Sequence, residues 1–172
     1  MKTAKHLALI GEFLALLIAG QYLLSGIAGV EIVTVLFACF CFYFGVVNGL
    51  ITATLYSLLR CFIFGFFPNV IVLYLVYFNI FAIVFGLIGR LFDKKTSLIK
   101  LIIIVVVACI MTCLFTLLDN IITPLMLSMS ERAWQAYVYG SFVVVVSQVI
   151  STAISVSVLF VPLTKAFSLI NI

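Results

Sequence analysis

Arg60 carries a permanent charge inside an apolar stretch: no Asp, Glu, Lys or Arg occurs from Ile32 to Leu59 or from Cys61 to Gly89. A guanidinium keeps its proton in a protein. Carrying one into hydrocarbon costs about 2.5–3.5 kcal/mol on insertion scales unless protein, water or a ligand receives it. Its planar fork suits a carboxylate, a phosphate or a heterocyclic acceptor. Glu31 opens one apolar run, and Asp119 with Asn120 closes another, so either acid could instead neutralise Arg60 in a structural pair. As an acid–base couple the two acids are conceivable, but no spacing demands that chemistry. A phosphate-binding Gly-Lys loop and a nucleophile elbow are both absent, and His6 is the only histidine, which removes the usual signatures of ATP, acyl-transfer and zinc sites. Neither catalysis nor a resident metal or cofactor is expected.

The elements that must position these groups are membrane helices. Of the 172 residues, 67% are hydrophobic and only 8% charged, with a mean hydropathy of +1.47, whereas soluble domains carry about 25% charged residues. At roughly 20 residues per span, the length suits a single domain over 1–172 with six transmembrane helices, all-α and embedded in a lipid bilayer. The apolar runs place them near 7–24, 29–44, 49–66, 70–89, 101–118 and 139–163. Breaks fall at Gly45 and Asn48, at Phe67-Pro68-Asn69 and at Asp93-Lys94-Lys95. The first run lacks a small-x-small cleavage site and reads as a span, not a signal. Between Asp119 and Val138 a mixed stretch with Pro124, Glu131, Arg132 and Trp134 suggests a short helix or flap near the interface. Trp134 and Tyr137 alone would also suit an interfacial aromatic belt.

Orientation follows from charge. Lys2, Lys5, Arg90, Lys94, Lys95, Lys100 and Lys165 fall on one side of a six-span topology, against Arg132 on the other. The positive-inside rule makes the first side cytoplasmic, together with both termini. The net charge of +4 is spread along span ends instead of forming a patch, so no nucleic acid is expected as partner. Cys39, Cys41, Cys61, Cys109 and Cys113 all lie in apolar segments without a Cys-x-x-Cys pair and read as small buried hydrophobes.

With this topology, polar groups gather at the outer ends of the helices: Gln21, Glu31, Arg60, Asp119 and Asn120. Asn48, Thr52, Tyr56 and Arg60 recur every four residues on one helical face, and Tyr74, Tyr77 and Asn79 come from the next helix. The arrangement predicts an outward-facing pocket anchored by Arg60, although the hydroxyls could equally bond back to their own helices. In the first helix Ala4, Ala8, Gly11, Ala15 and Ala19 recur at three- and four-residue spacing. Such a face lets another helix approach closely in lipid. Glu12 lies beside it.

The Ala15-x-x-x-Ala19 pair, the stretch Gly29-Val-Glu-Ile-Val-Thr-Val-Leu-Phe37, and Phe67-Pro68-Asn69 followed by Leu73-Tyr-Leu-Val-Tyr-Phe-Asn79 and Phe85-Gly-Leu-Ile-Gly89 together resemble the substrate-binding S components of energy-coupling-factor (ECF) transporters. The resemblance covers most of the chain. It implies the six-helix S-component bundle, a vitamin or related small nutrient as ligand, and a transmembrane coupling (T) protein with two ABC-type ATPases as partners. It makes Ala15 and Ala19 docking residues, in a cycle where the S component topples in the bilayer. Glu31, Arg60, Tyr74, Asn79, Asp119 and Asn120 become ligand candidates by their place in the topology. No substrate signature is present, and Trp134 is the only tryptophan, unlike thiamine- and biotin-binding members. An MreD-type cell-shape scaffold and a small standalone permease are the alternatives.

Overall fold

A backbone in hydrocarbon must satisfy its own N–H and C=O groups, and this apolar sequence does so by helix formation. The computed structural model describes residues 2–24, 26, 32–94 and 96–169. They fold as α1 (Lys2–Leu24), α2 (Ile32–Phe64), α3 (Pro68–Leu91), α4 (Leu98–Met126) and α5 (Glu131–Ser168). All five are long and apolar enough to cross a membrane. Pro68 begins α3 at a position where its missing N–H costs nothing. Ser97 and Ser130 cap α4 and α5, accepting from the backbone N–H groups of Lys100 and Ala133.

The second and third helices read from the sequence are joined in α2, which is interrupted at Gly45 (φ 84°, ψ 178°). That backbone conformation is open essentially to glycine alone, and here the chain turns back on itself. Cys41 Sγ stands 2.9 Å from where a Cβ on Gly49 would sit, although residues eight apart on a straight helix are separated by about 12 Å. The two arms, residues 32–44 and 46–64, both pack on α3. Phe37 of the first arm and Tyr56 of the second each meet Phe78 edge-on, at 5.4 and 5.1 Å between ring centroids.

Small residues on α3 make this close approach possible. A Cβ on Gly86 would lie 2.7 Å from the backbone nitrogen of Val46, and one on Gly89 would overlap the carbonyl of Phe42. The core beneath is aromatic. Phe13 of α1 stacks on Phe40 at 4.1 Å, Phe81 stacks on Phe85 at 4.4 Å, and Phe42 meets Phe160 of α5 edge-on. Outside it, apolar side chains such as Phe142 and Val143 are 62% and 74% exposed. Such a surface suits lipid, not water, and the whole is compatible with a multi-pass membrane protein.

The short helix or flap expected between the fifth and sixth spans is not a separate element, because the ends of α4 and α5 take up most of that stretch. α4 continues to Met126 and α5 starts at Glu131, leaving four connecting residues. At 29 and 38 residues these helices run about 43 and 57 Å, beyond a hydrocarbon core of about 30 Å. Residues 119–138, with their mixed polarity, form the adjoining ends of these two long helices and the four residues between them.

Candidate functional site

Three helices bring Arg60 its neighbours. α1 ends near Gln21, the second arm of α2 carries Tyr56, Arg60 and Phe64, and α3 supplies Tyr74 from its second turn. Tyr56 donates its hydroxyl to Gln21 Oε1 at 2.7 Å, and Arg60 Nε donates to the same oxygen at 3.2 Å. Gln21 Nε2 in turn donates to Tyr74 at 3.2 Å. The Arg60 guanidinium lies over the Tyr74 ring at 4.2 Å and the Phe64 ring at 4.9 Å, where the negative ring faces attract it. No carboxylate among the described residues comes within 4.0 Å of it. Arg60 is therefore seated by neutral groups, with one of its five donors committed and the outer edge of the fork left to other acceptors.

Asp119 and Asn120 stand at the same end of the bundle but face α5. Tyr137 donates to Asp119 Oδ2 and Thr123 to Oδ1, both at 2.6 Å, and Asn69 at the start of α3 donates to Thr123 at 3.2 Å. Asn120 donates to Ser141 at 2.8 Å, while its own Oδ1 is buried and has no partner among the described residues. No contact among the described residues joins either side chain to Arg60. The Arg60–Asp119 pairing is thus not formed. Between α4 and α5 a groove of about 490 Å³ runs past Asp119 and Tyr137 down to Gln148.

Trp134 has a specific task at this end. Pro124 has no N–H, so the Asn120 carbonyl four residues earlier loses its helical donor. The indole N–H of Trp134 fills that place at 2.9 Å. Trp134→Phe keeps an aromatic ring, though a smaller one, and removes the donor, so loss of the hydrogen bond is expected to cost about 1 kcal/mol, a Tm lower by roughly 2–4 °C in detergent. In a Pro124→Ala background, where the backbone N–H returns, the same change should be nearly silent; an equal loss in both backgrounds would show that the ring, not the hydrogen bond, matters.

Of the other residues singled out from the sequence, Asn79 lies deeper. It donates to Leu75 O at 2.7 Å and accepts from Thr54 at 3.4 Å, so it bridges α2 and α3 and none of its hydrogen bonds reaches the Arg60 seat. Glu31 falls outside the described residues. Ala15 and Ala19 are exposed, as are Ala4, Ala8, Gly11 and Glu12, and a Cβ on Gly11 would meet nothing within 4 Å. The small-residue face of α1 is therefore uncovered by the other described residues. Sequence reading placed Gln21 at this end and Tyr56 on the helical face of Arg60 without assigning either to the site. It named Asn69 only as part of the Phe67-Pro68-Asn69 break and did not single out Thr123, although the Asp119-x-x-x-Thr123 spacing is that of neighbours on a helix. No protein-family model, curated protein or solved structure matches this chain.

Proposed function

We propose that this protein is the membrane-embedded binding subunit of an ECF-type uptake system, which captures a vitamin or related small nutrient and delivers it to an ATP-driven coupling module. The observation that carries the reading is the Arg60 seat. A guanidinium stacked on Tyr74 and Phe64 and tethered by Gln21 is oriented without being neutralised, which is what recognition of an anionic or acceptor-rich flat ligand requires. In this reading each arm of α2 crosses the bilayer, giving six crossings. The basic residues and both termini then face the cytoplasm, and Arg60 faces outward. The exposed face of α1 with Ala15 and Ala19 receives the transmembrane coupling protein, which brings two ABC-type ATPases. Arg60, Gln21, Tyr56 and Tyr74 form the centre of the nutrient site; the protein itself performs no catalysis.

Affinity purification of the tagged protein from its native membranes in mild detergent tests this directly. The expected retinue is one coupling protein and two ATPase subunits, identified by mass spectrometry, and it should be lost when Ala15 and Ala19 are both replaced by Trp. Recovery of cell-wall machinery in their place would favour a scaffold of the MreD type. Proton-driven uptake by the chain alone in liposomes would favour a permease.

A further inference from the structure

We propose that the groove between α4 and the first half of α5 binds the ammonium headgroup of a membrane phospholipid. The groove, about 490 Å³, has Asp119 and Tyr137 at its head, Ser141 and Val144 along one wall, and Thr116 and Gln148 at its foot. That volume is within the range of small-ligand sites. Asp119 is oriented but not neutralised: both of its hydrogen-bond donors, Tyr137 and Thr123, are hydroxyls. Each carboxylate oxygen keeps a further lone pair, and no basic side chain among the described residues lies within 4.0 Å. A half-buried carboxylate is stabilised by a positive partner, and the described residues bring none within 4.0 Å of it.

Depth selects the source of that charge. α4 spans 29 residues, about 43 Å, matching a bilayer of about 40–45 Å with its headgroups. Asp119 lies seven residues before Met126, about 10 Å from that end, at the boundary between headgroups and acyl chains. Below it the groove follows α5 from Tyr137 to Gln148 for about 16 Å. Gly140 leaves it open, since a Cβ there would meet nothing within 4 Å, and Val144 of its wall is 49% exposed. An ammonium at Asp119 with the glycerol and upper acyl carbons alongside Gly140 and Val144 uses both halves of this cleft. This assignment depends on the membrane placement of the helices and not on the nutrient or its coupling partners.

Native mass spectrometry of the full-length protein in detergent, titrated separately with phosphatidylethanolamine and phosphatidylglycerol of the same acyl chains, tests it. Phosphatidylethanolamine should bind about tenfold more tightly, the ratio that one charge-assisted hydrogen bond supplies. Asp119→Asn should erase the preference. Gly140→Leu, which fills the groove from a position with open space around it, should abolish binding of phosphatidylethanolamine without loss of the folded protein, and it decides the matter if Asp119→Asn fails to fold. Equal binding of the two lipids by the wild-type protein, or an undiminished preference in either variant, would overturn the proposal. Displacement of phosphatidylethanolamine by millimolar free ethanolamine would assign the groove to a soluble amine and overturn the lipid assignment as well.

Discussion

Gly89→Ala is expected to lower the melting temperature of the protein by roughly 6–12 °C, although it adds a single methyl group. The new carbon would overlap the carbonyl of Phe42 and lie 2.7 Å from its carbonyl carbon and 2.8 Å from its Cα. These are backbone atoms of a helical arm, so no rotamer change relieves them. Phe42 itself is buried against Phe160 of α5, which closes the direction in which the arm would have to move. Overpacking of this kind costs about 3 kcal/mol, a large part of a typical stability of 5–15 kcal/mol. Gly86→Ala meets Val46, on the other side of the Gly45 turn, at 2.7 Å and should act similarly. Because both glycines press on the turn between Phe42 and Val46, the double variant should cost less than the sum.

The control lies in the same protein. Gly11 and Gly140 are also helical glycines, but a Cβ at either would meet nothing within 4 Å. Alanine there should be neutral or stabilising by up to about 1 kcal/mol, the helix-propensity gain. The measurement is the fraction of monodisperse protein recovered from detergent extracts after a heating series. If Gly89→Ala melts with Gly11→Ala, α3 and the first arm of α2 do not pack as closely as described.

How far this could be read from the sequence depends on what kind of signal each feature leaves. Helices in lipid announce themselves by hydropathy, and Gly45 marked the break within α2 because a turn that tight needs its backbone freedom. Hydropathy misled at residues 119–138. There, mixed polarity does not end the helices, and α4 and α5 extend through a stretch that read as a short helix or flap. That Gln21, Arg60, Asp119 and Asn120 stand at one end was legible because alternate helix ends must meet; Glu31, read with them, lies outside the described residues. Their grouping was not legible. Whether Asp119 turns to Arg60 or to Tyr137 is set by helix rotation, which four-residue spacing within one helix does not determine for a pair on different helices. Asn79 shows the other limit: an amide on a helix can satisfy itself on the carbonyl four residues back, as it does on Leu75.

Arg60→Ala should release the ligand while the protein still folds. Its structural contacts are modest: one hydrogen bond to Gln21 and two ring contacts. Gln21 keeps its stronger bond from Tyr56 at 2.7 Å, so no buried acceptor is orphaned. Losing the arginine should therefore lower stability by only about 1–2 kcal/mol. Binding is another matter under the proposed function, because truncating one partner of a desolvated charged pair costs about 2–5 kcal/mol. That corresponds to a loss of roughly thirtyfold to several thousandfold in affinity. Arg60→Lys should not restore it, since an ammonium lacks both the planar fork and the stacking face that Tyr74 receives. The readout is the small molecule retained by the wild-type protein through purification, identified by mass spectrometry and then titrated back onto each variant. Loss in both variants, with Tm within a few degrees of wild type, places the guanidinium on the ligand. Full retention by Arg60→Ala would make the seat a structural feature and remove the main support for an anion-binding site at this end of the bundle.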